Sequence, residues 1–256
     1  MSIFKQGMMR KPDKTFFCKV IRCDEDAVKY EDIKTSNHYD LDCGALLHRV
    51  RWFKGMKFNV VADVYSSFIK INYQGFVTAI FDGYQDEGTK SHEYLRRDSI
   101  PQSCNVVINK NKHVPFTQDL FPSNIENKAN FINFLSHHLN QLGYLTVNCP
   151  GDADSTVVKT ALDIANTTLQ HVTVVTDDTD IAVMFIYHWK SNISDIYFLQ
   201  DKWDKAWSIK DACLKNKTIK QHLLFIHEYP WLGCYTISSV FGKSKTKLVE
   251  RISDEI

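Results

Sequence analysis

Carboxylates recur along this chain in a pattern that suits divalent-metal chemistry. LDCG holds Asp42, FDGY holds Asp82, PGDAD holds Asp152 and Asp154, and TDDTD holds Asp177, Asp178 and Asp180. Carboxylates converging at one sheet edge repel one another unless a cation neutralises them, and hard oxygen ligands with open positions suit Mg2+ or Mn2+. Two such ions about 3.5–4 Å apart can activate a water and stabilise the leaving oxygen of a phosphodiester. Each segment also has a plainer reading. The Asp-Gly of FDGY is a turn pair, in which Asp bonds its own backbone and Gly supplies a positive φ. PGDAD and TDDTD put acids where an N-cap and the positive end of a helix dipole favour them. Capping needs one acid per helix, whereas this chain supplies pairs, and that recurrence favours the metal reading.

Cations follow FDGY directly. Lys90, His92, Arg96 and Arg97 lie in TKSHEYLRRDS, with Lys90 and Arg97 near one face at helical spacing. They could hold a phosphate near the metals, or form a solvated face paired with Glu93 and Asp98. Tyr84 could stack on a base or pack at the strand end. A second basic run, Lys243, Lys245, Lys247 and Arg251, is a nucleic-acid contact or a solvated end.

The elements that must position these groups read as alternating strands and helices. Phe76–Phe81, Tyr144–Asn148, His171–Thr176 and Asp195–Leu199 are short β-rich runs bounded by polar or turn residues. Their near-continuous apolar character suits strands covered on both faces. Between them, Ser123–Leu142 places Phe131, Phe134, Leu135, Leu139 and Leu142 at helical spacing before Gly143. Val157, Val158, Ala161, Leu162 and Ala165 form an apolar helical face after Asp154, and Ile181 to Trp189 continues similarly after Asp180. His38–Leu47 reads as a strand, a turn and then a helix. The fold class is therefore α/β, with a mostly parallel central sheet and helices on both faces. Acids at strand-to-helix junctions lie where such sheets bind ligands.

At 256 residues the chain has room for one principal domain, here 38–256, with residues 1–37 as an N-terminal extension. The net charge of +1 and pI near 7.6 exclude a surface that grips nucleic acid all over, so any such contact is local. No run of eighteen apolar residues predicts a membrane span, and MSIFKQGMMRKPDK has no apolar core of a secretory signal. The seven cysteines form no CxxC pair and no zinc-like spacing, which suits reduced thiols and an intracellular address.

Taken in order, LDCGALLHRVRW, FDGYQDEGTKSHEYLRR, PGDADSTVVKTAL, VVTDDTDIAV and LLFIH followed by GCYTISSVFGK resemble the XPG-like and flap endonucleases of the PIN-like superfamily. The resemblance covers roughly His38 to Lys247 and is closest to an animal branch of that superfamily. It implies structure-selective hydrolysis of phosphodiesters in DNA or structured nucleic acid, with Mg2+ or Mn2+ at two sites. Carried over, the metal ligands are Asp42, Asp82, Asp152, Asp154, Asp178 and Asp180. Asp42, Asp82, Asp152 and Asp154 form the stronger site, and Asp178 and Asp180 the weaker. Lys90 and Arg97, with Arg96 as the alternative, steer the scissile phosphate. Nuclear placement is a further implication.

Three departures bear on activity. Tyr235 in GCYT stands where the resemblance implies an aspartate, and a phenol is neutral at pH 7. The GExE-like turn has Asp at both acidic positions, one methylene shorter than Glu. The chain ends soon after GKSK, leaving no room for a helix-hairpin-helix region, so the expectation is that either a protein partner grips the substrate or nothing does. The alternative is a degenerate fold kept as a nucleic-acid or protein-binding module.

Overall fold

The structure, a computed structural model, describes residues 37–83, 103–200 and 205–217, with Phe4–Lys5, Met8–Met9, Ile21 and Val28–Lys29. Its strands are β1 (Phe4–Lys5), β2 (Met8–Met9), β3 (Val28–Lys29), β4 (His38–Asp42), β5 (Phe76–Phe81), β6 (Leu145–Asn148), β7 (Val172–Val175), β8 (Ile196–Gln200) and β9 (Lys205–Ser208). Its helices are α1 (Cys43–Arg49), α2 (Phe58–Asn72), α3 (Ile125–Gln141), α4 (Asp154–Thr168), α5 (Thr179–His188) and α6 (Ile209–Lys215). The fold is α/β with a mixed, mostly parallel sheet. Two compact units divide the chain, one of residues 36–157 and one of residues 1–35 with 158–256. No described helix is long and apolar enough to cross a membrane.

In the 36–157 unit, β4, β5 and β6 are parallel neighbours, with Asp40 opposite Thr78, Asp42 opposite Ile80 and Phe81 opposite Asn148. β5 is buried from Val77 to Phe81, as its apolar run requires. β6 departs from the expectation of two covered faces: it ends the strand order, and Leu145 is 60% exposed. Its contacts with α3 are polar. Thr146 Oγ1 shares hydrogen bonds with Ser136 Oγ and Asn140 Nδ2, each at 2.7 Å, and Asn148 donates to Asn133 Oδ1.

Helix α3 begins where Asn124 accepts from the Asn127 N–H at 3.0 Å, a side-chain cap one residue inside the expected start. Its buried stripe of Phe131, Ile132, Leu135 and Leu139 follows the period of 3.6. The partner helix α2 buries Phe58, Val61, Ala62, Tyr65 and Ile69 at the same spacing. Phe58, Phe121 and Phe131 meet with ring centroids 5.8–6.4 Å apart, and each such buried ring contributes roughly 1.5–3 kcal/mol. α2 has no side-chain cap and no acid in its first turn. The carbonyls of Lys112 and Lys110 instead accept from the Phe58 and Asn59 N–H groups at 3.0 and 3.3 Å.

In the other unit, β7 and β8 are parallel and α5 connects them. β9 returns antiparallel to β8, and β3 pairs antiparallel with β9. α5 buries Ile181, Ala182, Val183, Phe185 and Ile186, wider than one stripe, which suits a helix covered on most sides. Ser208 caps α6 by accepting from Asp211 N–H, and Asp195 accepts from Ser208 Oγ at 2.6 Å and from Lys210 N–H at 3.0 Å.

Candidate metal centre

Each acidic segment lies at the carboxyl end of a parallel strand. Asp42 is the last residue of β4, Asp82 follows β5, Asp152 and Asp154 follow β6, and Asp178 follows β7. The plainer reading of these acids holds as well, since several are caps. Asp42 Oδ1 accepts from Gly44 N–H at 2.9 Å and starts α1 with no intervening turn. Asp178 Oδ1 accepts from Asp180 N–H at 2.8 Å and starts α5. Asp152 Oδ1 accepts from Asp154 N–H at 3.2 Å. Such bonds fix the carboxylate rotamers, which is what a preorganised ligand set needs.

Gly44 marks where Asp42 and Asp82 approach one another. A Cβ on this residue would lie 3.1 Å from Asp42 Oδ1 and 3.2 Å from Asp82 Oδ2. Asp82 also reaches across to the next turn, accepting from Ala153 N–H at 3.0 Å. Gly83 N–H donates to Gly151 carbonyl at 2.7 Å, and Cys149 N–H donates to Phe81 carbonyl at 3.0 Å. The two turns are so close that a Cβ on Gly83 would meet Cys149 carbonyl oxygen at 2.1 Å. Glycine in FDG is thus demanded by close backbone approach.

Asp154 opens α4 in one unit, and Asp178 and Asp180 cap and open α5 in the other; each offers carboxylate oxygens of the kind that could hold a metal ion. All three are partly buried. Their oxygens are hard donors, which suit a divalent cation. Beside Asp42, burial, with the Asp42 charge adding, holds the Cys43 thiol well above the ordinary thiol range. Lys90, Arg96, Arg97, Tyr84, Tyr235, Lys243 and Lys245 lie outside the described residues.

One carboxylate escaped sequence reasoning. Asp40 is fully buried on β4, and burial pushes it up to about 7, with the Thr78 hydroxyl opposing the shift. Thr78, its register partner on β5, is a polar neighbour of this carboxylate. The alternation of HYDLD, which puts Asp40 and Asp42 on one face, was the available signal.

The fold, with acids at the carboxyl ends of its parallel strands, is flap-endonuclease-like, as its likeness to solved structures shows. The chain is similar to the catalytic core of Rad2 in complex with a DNA substrate, with a TM-score of 0.52 and 14% identity over 90% of this chain. It is similar also to a bacteriophage T5 flap endonuclease variant in a pseudo-enzyme–product complex with DNA and metal ions. There the TM-score is 0.50 and the identity 13%, covering 85% of this chain and 75% of that one. At these identities the likeness is one of fold, and the chain spans 65% of the Rad2 core's length. No protein-family model and no curated protein matches it.

Proposed function

We propose that this chain is a metal-dependent nuclease that hydrolyses phosphodiesters of DNA or structured nucleic acid. The observation that carries the reading is the approach of the Asp42 and Asp82 carboxylates beside Gly44, at the carboxyl ends of the neighbouring parallel strands β4 and β5. In this reading Asp42, Asp82, Asp152 and Asp154 hold the stronger of two divalent-ion sites, for Mg2+ or Mn2+, and Asp178 and Asp180 the weaker. When bound, such ions activate a water and stabilise the leaving oxygen. Asp42 and Asp178 keep their carboxylates aimed through the caps they make, and Asp82 fixes the turn that carries Asp152 and Asp154. Lys90 and Arg97, or Arg96 in its place, stabilise charge developing on the scissile phosphate, and Lys243 and Lys245 contact the nucleic acid.

Support for a polyanionic substrate comes from a described surface. Arg51, Lys54, Lys57, Lys110 and Lys112 are all exposed. Backbone bonds join their two segments: Gly55 N–H to Val114 carbonyl at 2.9 Å and Val114 N–H to Met56 carbonyl at 2.8 Å. No ion pair to these five is found among the described residues. Lys57, Lys110 and Lys112 gather at the positive end of α2, where cations are unfavourable for the helix and favourable for a phosphate. The DNA complexes of Rad2 and of the T5 enzyme support the same substrate class.

Tyr235 favours a second reading, a catalytically degenerate domain that binds nucleic acid or a protein. Tyr235→Asp separates the two. A sharp gain in Mn2+-dependent cleavage identifies an intact centre limited by one ligand, and binding without cleavage in both forms identifies the binding module.

A further inference from the structure

In the first turn of α3, Asn127 alone is buried, with 0% exposure. A buried amide is destabilising unless its hydrogen bonds are made, and an apolar residue of similar size would avoid that demand. Here the amide is engaged three times, always with the same preceding segment. Its Oδ1 accepts from the Val106 N–H at 2.7 Å, and its Nδ2 donates to Ser103 Oγ at 3.1 Å and to the Cys104 carbonyl at 2.9 Å. The cap residue Asn124 adds a bond from its Nδ2 to the Ser103 carbonyl at 2.9 Å. Residues 103–106 are thereby tied to the start of α3.

The place of this clamp in the chain gives it a use. Residues 84–102, which carry Lys90, Arg96 and Arg97, lie between Gly83 and Ser103. Gly83 is fixed next to Asp82 by its N–H bond to the Gly151 carbonyl at 2.7 Å. Ser103, 5% exposed, is fixed by α3, and both ends belong to the 36–157 unit. A connection held at both ends samples fewer placements than one held at a single end, so less entropy is lost when its side chains engage a substrate. We infer that Asn127 is a positioning residue for the proposed cleavage: it fixes the point to which the chain bearing Lys90, Arg96 and Arg97 returns, and so raises the fraction of encounters in which those cations meet the scissile phosphate. The inference rests on the nuclease reading above and on those cations acting in it. Asn127 works through the segment it holds, not as a ligand or a catalytic group.

Single-turnover cleavage of labelled flap and hairpin DNA by the full chain in Mn2+ tests this, beside Mn2+ affinity read from the electron paramagnetic resonance signal of the free ion. Asn127→Leu removes the three bonds at similar size. The folded variant is expected to bind Mn2+ as wild type does and to cleave about tenfold more slowly at saturating protein. Added to Lys90→Ala with Arg97→Ala, the same substitution is expected to slow cleavage less than about twofold further, because the groups it places are gone. Ser103→Ala removes one bond of the clamp, is expected to slow cleavage about threefold, and keeps the test open should Asn127→Leu fold poorly. Wild-type rates in the folded variants overturn the inference and leave the nuclease reading standing. An equal tenfold loss with and without Lys90 and Arg97 also overturns it, since that marks a general structural role, and so does cleavage that Lys90→Ala with Arg97→Ala leaves untouched. Absence of divalent-dependent cleavage by the wild-type chain overturns both.

Discussion

The carboxylate of Asp82, at the end of β5, accepts a hydrogen bond from the backbone N–H of Ala153, in the turn after β6, at 3.0 Å. One acidic segment thereby holds another in place, and the glycine beside it allows the contact. Gly83→Ala puts a Cβ 2.1 Å from the Cys149 carbonyl oxygen and 2.2 Å from that of Pro150, both backbone atoms. The variant is expected to lose at least about 2 kcal/mol, seen as a lower urea midpoint with an unchanged slope. A midpoint equal to wild type means the two turns are not packed as described.

Gly44→Ala separates fold from site in the opposite sense. Gly44 lies in the first turn of α1, where alanine is the better helix former by up to ~1 kcal/mol. The added Cβ, at 3.1 and 3.2 Å from the Asp42 and Asp82 oxygens, crowds only carboxylates. Stability in EDTA is expected to hold, while the rise in melting temperature on adding Mn2+ shrinks. An unaltered Mn2+ response argues that these two carboxylates hold no ion.

A buried network at the end of α1 gives a stability control. Tyr65 hydroxyl donates to the Leu47 carbonyl at 2.9 Å and accepts from Trp52 Nε1 at 3.2 Å. Gln118 Nε2 donates to the carbonyls of Leu47 and Val50, closing the end of α1. Tyr65→Phe strands the indole N–H and is expected to cost about 1–3 kcal/mol in denaturant melts. The Mn2+ response of the folded protein is expected to stay as in wild type. A loss below about 0.5 kcal/mol shows that water reaches this network.

Asp195 sets a pH dependence. Its carboxyl is held above the ordinary range by burial, with the Ser208 hydroxyl and the Lys210 and Ile196 N–H groups opposing the shift. The native state then binds this proton more tightly than the unfolded chain, so stability from Asp195 is full at low pH and declines as pH rises past the usual carboxylate range. Asp195→Asn removes that slope. Urea midpoints at about pH 4.5 and about pH 7 are expected to differ less in the variant than in wild type. An identical difference shows that Asp195 titrates as if exposed.

Much of this architecture was legible in the residues, for reasons that differ by element. β5 matches its apolar run from Phe76 to Phe81, and α3 falls within two residues of the expected bounds because Asn124 and Gly143 punctuate it. α2 was not read, since its cap is supplied by the carbonyls of Lys110 and Lys112, about fifty residues away. The strand β6 reads as apolar but lies at an edge, and its polar contacts with α3 become visible only once Ser136 and Thr146 are side by side. Strand-end acids were visible as a repeated spacing. The approach of Asp82 to Ala153, and the full burial of Asp40, depend on packing that no local pattern specifies.

The most direct test of the metal-dependent nuclease reading is cleavage of labelled flap, hairpin and single-stranded DNA by the purified chain in Mg2+ or Mn2+, beside Asp82→Ala. The account predicts divalent-dependent cleavage that EDTA stops and that Asp82→Ala loses by at least about a hundredfold. Intact, DNA-binding protein that cleaves none of these substrates in either metal contradicts it and leaves the degenerate binding module.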